Sequence, residues 1–302
     1  ANARNPEVVA FLLRQGLGVN DKASTGTTPL LFAASHNQDP RIVAMLAAAG
    51  ADLAAVDAKG RNALSCAIYY NKNREVAETL IKLGARVNSR DENGMTPLMH
   101  AVVEPANESL VKTLIRHGAK VNARDNKGST ALIWACGVKG NENIVTILLK
   151  AGASLNAGAA NHVRALDMAI RSAANGDTYK EPRSASLIDL LLRHGAKLTS
   201  KDPLLYEAWL VAVAAKDGLN LARRIVHLGI DVNMPDRDGI TALMGAAIGN
   251  PNPEMVKFLI KSGARIDTVS RNGTTALLYA TQYNNSEVVK FLLAETEKTA
   301  GK

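Results

Sequence analysis

GMTPLMHAVVEPANESLVKTLIRHGAKVNARDNKG, residues 94–128, reads as two short helices and the connector that leads to the next pair. Thr96 is a favoured helix N-cap and Pro97 suits the first turn that follows. Leu98, Ala101 and Val102 then recur at helical spacing. Asn107 stands where a second cap is needed, and Val111, Leu114 and Ile115 supply the next apolar stripe. Arg116 and His117 put cations in the last turn, and Gly118 follows where the chain must take a positive φ. The polar run 122–128 projects as a hairpin-like finger. The unit is therefore helix, turn, helix, finger.

This cassette recurs along all 302 residues. Glycines that close the second helix stand at 16, 50, 84, 118, 152, 195, 229 and 263, a spacing of 34 apart from one step of 43. Finger glycines at 26, 60, 94, 128, 239 and 273 keep the same register. Second-helix caps are expected at Asn5, Asp39, Asn73, Asn107, Asn141, Ser184, Gly218, Asn252 and Asn285, all favoured types. A fixed period in this range marks a repeat array, in which each unit buries its apolar face against its neighbours.

The runs GTTPL (26–30) and GMTPL (94–98), the A-L variants at 131–132, 242–243 and 276–277, and the G-A-x-V/L-N runs at 84–88, 118–122 and 152–156 resemble the ankyrin repeat. The resemblance covers essentially the whole chain. It implies an all-α solenoid of helix pairs with β-hairpin fingers, here a leading half repeat (1–20) and eight full repeats. These fall near 21–55, 56–89, 90–123, 124–157, 158–200, 201–234, 235–268 and 269–302, read as a single domain. Two departures stand out. The family's T-P-L-H ends here in Leu31, Met99, Ile133 or Met244, so the hydrogen bond its His makes is expected to be missing. Most copies also carry one residue more than the family's usual length, in the Asn-rich turn between the helices.

The ends and the middle differ from the cassette. Residues 1–15 match a second helix alone, with a stripe of Val9, Leu12 and Leu13, so a preceding partner helix is expected upstream. At the other end Val289, Leu292 and Leu293 form the stripe, and the polar run from Glu295 suits a cap on the stack. In the fifth copy His162 replaces the finger Gly, Arg164 replaces the capping Thr, and a loop is inserted at 174–184. In the sixth, Glu207 stands at the capping position and Trp209 at that of the core Leu.

Composition removes several function classes. No apolar run approaches the ~20 residues that span a membrane. There is no phosphate-cradling glycine loop, no HExxH and no CxxC. Cys66 and Cys136 lie two repeats apart, beyond disulfide reach. The recurrent Asp57, Asp91, Asp125 and Asp236 organise finger turns through their own backbone, and His117, His194 and His227 sit at helix C-termini. His36, His100 and His162 show no carboxylate at a fixed offset. No catalytic group, cofactor or metal ligand is expected, and compartment is left open.

What remains is surface. Positions +2, +5 and +6 from the core Leu of each first helix share one face, and half of the chain's aromatic residues fall on it. If the resemblance holds, this face is the concave groove. The expected contact residues for a protein partner are Phe32 and His36, Tyr69 and Tyr70, Val103 and Glu104, Trp134 and Val138, Arg171, and Tyr279, Gln282 and Tyr283. Finger residues Lys59, Arg61, Arg90 and Arg124 flank them. Packing accounts equally well for Phe32, Trp134 and Tyr279. The net charge of +8 sits mostly on second helices, at residues such as Arg74, Lys82, Lys112, Lys150, Arg223 and Lys257. Such charge commonly serves solubility. Aromatics and cations lie on different faces, which argues against nucleic acid as the ligand. The expectation is a monomeric, non-catalytic scaffold for protein–protein interaction. A regulatory or targeting module of a larger enzyme, or a binder of an anionic polymer, are the alternatives.

Overall fold

The computed structural model describes residues 5–71, 73–159, 163–174, 185–250, 252–283 and 286–300. Lys72, His162, Ser184, Asn285 and loop residues 175–184 lie outside them. The chain divides into two compact units, residues 1–165 and 166–302.

In the first unit, α1 (Pro6–Arg14) is followed by the pairs α2 (Pro29–His36) and α3 (Pro40–Ala48), α4 (Ala63–Tyr70) and α5 (Arg74–Lys82), α6 (Pro97–Ala101) and α7 (Glu108–Arg116), and α8 (Ala131–Cys136) and α9 (Glu142–Lys150). First helices pack on first helices, from α2 through α8, and second helices on second helices, from α1 through α9. The core between the layers is aliphatic: Leu64, Leu80, Leu98, Leu114, Leu132 and Ile144 are sealed from solvent.

The second unit holds α10 (Ala165–Ala174), α11 (Ser186–Arg193), α12 (Leu205–Ala214), α13 (Leu219–His227), α14 (Ala242–Gly249), α15 (Pro253–Lys261), α16 (Ala276–Gln282) and α17 (Ser286–Ala300). Here α12 packs on α14 and α14 on α16, with α15 against α17 behind them. In α17 the buried residues are Val288 and Leu292, while Leu293 is exposed. The stripe is thus shifted by one residue from the expected Val289 and Leu293. Each unit is the expected stack of helix pairs.

Caps form largely where expected. Asn5, Asp39, Asn73 and Asn252 each accept the N–H two residues on, at 2.9–3.0 Å. Asn107, Asn141 and Gly218 do not cap through a side chain. Asn107 ends a 3₁₀ turn and donates to Ala101 O (3.2 Å). Asn141 donates to Val102 O (2.7 Å) and Ala135 O (3.0 Å), so it ties neighbouring repeats instead. The missing motif His is replaced in function at one copy, since the Met99 sulfur accepts the Thr96 N–H (3.5 Å).

A second asparagine device explains the G-A-x-V/L-N runs. Asn88 donates to Gly118 O (2.9 Å) and accepts from Lys120 N (2.7 Å), and Asn122 treats Gly152 and Ser154 in the same way. The closing glycine of one repeat is thereby held by the loop of the repeat before it.

The fingers are turns. Among the described residues there is no strand, and the one isolated bridge joins Val56 and Asn62. Asp91 shows why: its backbone N–H bonds Met95 O, and its Oδ1 accepts from Asn93 and Met95. Those bonds close the turn within five residues, and at the matching turn of Asp57 the flanks make only the single Val56–Asn62 bridge. Gly94 sits at its tip with φ +74°, and a Cβ there would meet the Asn126 backbone at 2.9 Å. Neighbouring fingers are also linked, Glu92 N to Lys59 O and Asn126 N to Asn93 O, both 2.9 Å.

Candidate functional site: an aromatic ridge on the first helices

The +5 and +6 positions of α4 place Tyr69 and Tyr70 side by side at the helix end. Both are exposed, at 58% and 45%. Their rings meet edge to face at 4.8 Å. Tyr70 faces His36 (6.5 Å), which stacks on Phe32 (4.7 Å), so one row runs from α2 onto α4. On the other side Tyr69 meets the edge of His100 at 5.5 Å. Val103 and Glu104, both exposed, extend the row past the end of α6. Aromatic pairs of this geometry contribute about 0.5–1.5 kcal/mol each beyond burial, so the row is ordered before any partner arrives.

Arg61 differs from the exposed contact residue expected. It is buried, and its guanidinium lies 4.7 Å from the Tyr70 centroid and 5.3 Å from that of Tyr69. From there it grips Asp57 Oδ2 through two bonds of 2.9 and 2.7 Å. Burial works against the Asp57 carboxylate. The Arg61 side chain and the N–H groups of Arg61 and Lys59 outweigh it and hold the carboxyl below its ordinary range. Arg61 therefore supports the tyrosines from beneath.

A rule not recognised in the sequence emerges from the same fingers. In three fingers of the first unit the second carboxylate oxygen of the Asp reaches the +2 residue of the following helix, nine positions on. Asp91 Oδ2 lies 2.9 Å from His100 Nε2, Asp125 Oδ2 accepts from Trp134 Nε1 at 3.0 Å, and Asp57 Oδ2 accepts from Cys66 Sγ at 3.7 Å. The expectation that His100 has no carboxylate partner is corrected by this pair. Burial depresses the His100 pKa, with Asp91 opposing it. Burial also pushes the Cys66 thiol up to about 11, so that sulfur is an inert packing group. Both cysteines are free and buried. A constant offset of nine between Asp and a polar or aromatic residue was the available signal.

The remaining candidates fall in different places. Trp134 is half-buried through its bond to Asp125, and Val138 is half-buried beyond it. Lys59, Arg90 and Arg124 are exposed on fingers. In the second unit Tyr279 is buried with its hydroxyl 3.3 Å from Asn272 Oδ1, which makes it packing. Tyr283 and Gln282 are exposed there, as is Arg171 on α10. The ridge proper is thus Phe32, His36, Tyr69 and Tyr70, with Val103 at its end. Beside it opens a cavity of about 740 Å³, lined by Leu12, Leu13 and Leu17 together with Phe32, His36 and Tyr70. Among the described residues no group of three or more His, Cys, Asp or Glu is placed to hold a metal, and no helix is long and apolar enough to cross a membrane.

Comparison with known proteins places these observations. A family model described as ankyrin repeats (3 copies) matches residues 1–91, 71–159, 98–202 and 210–301. The chain is 28% identical over 155 residues to ankyrin repeat and SOCS box protein 6 of Homo sapiens, covering 45% of this chain and 37% of that protein. Over 90 residues it is 32% identical to palmitoyltransferase ZDHHC17 of Danio rerio, 29% of this chain and 14% of that one. Over 103 residues it is 37% identical to potassium channel AKT1 of Oryza sativa subsp. indica, 34% of this chain and 10% of the channel. The matched region is a minor part of each relative.

Proposed function

Since the chain belongs to the ankyrin repeat family, we propose that it acts by binding another protein across the first-helix face of its first unit, with no chemistry of its own. The exposed, pre-stacked row Phe32–His36–Tyr70–Tyr69 carries this reading. Tyrosine is among the residues that dominate interface energy, and rings already held by neighbours lose little entropy on binding. Arg61 and Asp57 neutralise one another beneath the row, so the ridge presents aromatic surface with polar rims, the composition of an interface centre.

A second reading, a targeting or regulatory module of a larger polypeptide, is favoured by one observation: the matched region is 14% of the palmitoyltransferase and 10% of the channel. The two readings share the same surface and differ in what it serves. Replacing Tyr69 and Tyr70 together by Ala tests the surface. Capture of the native partner is expected to weaken by at least about tenfold, as for hot-spot residues, while the melting curve stays nearly unchanged. Undiminished capture by the folded double variant would overturn the proposal.

A further inference from the structure

The second helices of the first unit sort their charges by end. The first turns of α5, α7 and α9 carry Glu75, Glu108 and Glu142, and their last turns Lys82, Arg116 and Lys150. That sorting answers the helix dipole, whose C-terminal end is equivalent to about half a negative charge. The exits of α5 and α7 go well beyond it. KLGARVNSR (82–90) and RHGAKVNAR (116–124) each place three cations at four-residue intervals: Lys82, Arg86 and Arg90, then Arg116, Lys120 and Arg124. All six are exposed.

Among the described residues none of the six is in an ion pair. Arg90 and Arg124 bond main-chain oxygens of the next repeat, Arg124 O at 2.6 Å and Gly158 O at 2.7 Å, which fixes each guanidinium without neutralising it. The following exit breaks the pattern, with Ser154 and Gly158 at the second and third positions. The cation rows therefore exceed what the repeat needs. A cleft of about 730 Å³ opens beside them, lined by Arg86, Arg90 and His117 with Asn88 and Ser89, and no carboxylate lines it.

We propose that this face receives an acidic segment of a protein partner, its carboxylates paired along the two rows; the inference rests on the protein-binding reading above. Four of the six cations are arginines, whose fork matches a carboxylate through two parallel bonds. The rows follow neighbouring helices roughly 8–10 Å apart, a span that about three residues of extended peptide cross. A nucleic acid fits less well. The rings that would stack bases, Tyr69 and Tyr70, belong to the first helices rather than to the rows.

The test titrates the chain into labelled oligoglutamate of about ten residues, an oligothymidylate of about equal charge, and anionic phospholipid vesicles, at low and raised salt. Oligoglutamate is expected to bind best, to weaken at least about tenfold in Arg86→Glu/Lys120→Glu, and to hold within about twofold in Tyr69→Ala/Tyr70→Ala. Absent binding, binding indifferent to the charge reversal, or tighter binding of oligothymidylate or vesicles would each overturn it. Melting curves verify that the variants fold; should the reversal fail to, Arg86→Gln/Lys120→Gln carries the same expectation. Partner capture through Tyr69 and Tyr70 is read separately, so failure here leaves the ridge standing.

Discussion

Asp91 serves two parts of the molecule with one side chain. Its Oδ1 closes the finger, and its Oδ2 holds His100 beneath Tyr69. That link ties the ridge to the fingers and makes it sensitive to acid. Burial lowers the His100 pKa in the folded chain, so the unfolded chain, with its ordinary value near 6.5, binds the proton more tightly. Stability is therefore full above about pH 6.5 and is lost as the pH falls from there toward the lower folded value. The melting midpoint is expected to drop between about pH 7.5 and about pH 5, and to drop less in His100→Gln, which keeps a donor facing Asp91. Equal drops in the two proteins would remove His100 as the cause. The exposure of Tyr69 and Tyr70 was legible from position on the helix. The burial of Arg61 was not, because a finger cation reads as solvated until the carboxylate and rings around it are placed.

At the scale of the element, motif positions decide stability and departures from them expose strain. Thr241 caps α14 through Met244 N. Glu207, at the same register of the preceding copy, leaves Oε2 buried without a hydrogen bond, as are the Tyr206 hydroxyl and the Trp209 indole N–H on the same helix. Unpaired buried polar atoms each cost about 1–3 kcal/mol. The structure starts α12 at Leu205 with Leu204 as its cap, so Glu207 lies inside the helix rather than at the expected capping position, and Glu207→Met would remove one such atom with little change in length. It is expected to raise stability by about 1–3 kcal/mol, read as a higher denaturation midpoint, and a lower midpoint would contradict this. The sequence marks this copy as irregular, and helix boundaries elsewhere follow its caps. What it hides is side-chain direction: Asn107 and Asn141 are favoured cap types, yet their amides turn to carbonyls of the preceding helix.

For the molecule as a whole, a strict period of glycines and caps was enough to reveal stacked helix pairs, because each repeat meets only its neighbours and long-range contacts follow from local register. One thing escaped that reading: the pairing of finger carboxylates with the groove nine residues on, which depends on how the turn aims its Asp. The account holds that recognition runs along the first helices of the first unit. A photo-crosslinking residue at position 69 tests this directly against one at exposed position 75 on α5. Crosslinks to the partner from position 69 and none from position 75 are predicted; crosslinks from 75 alone would contradict the account.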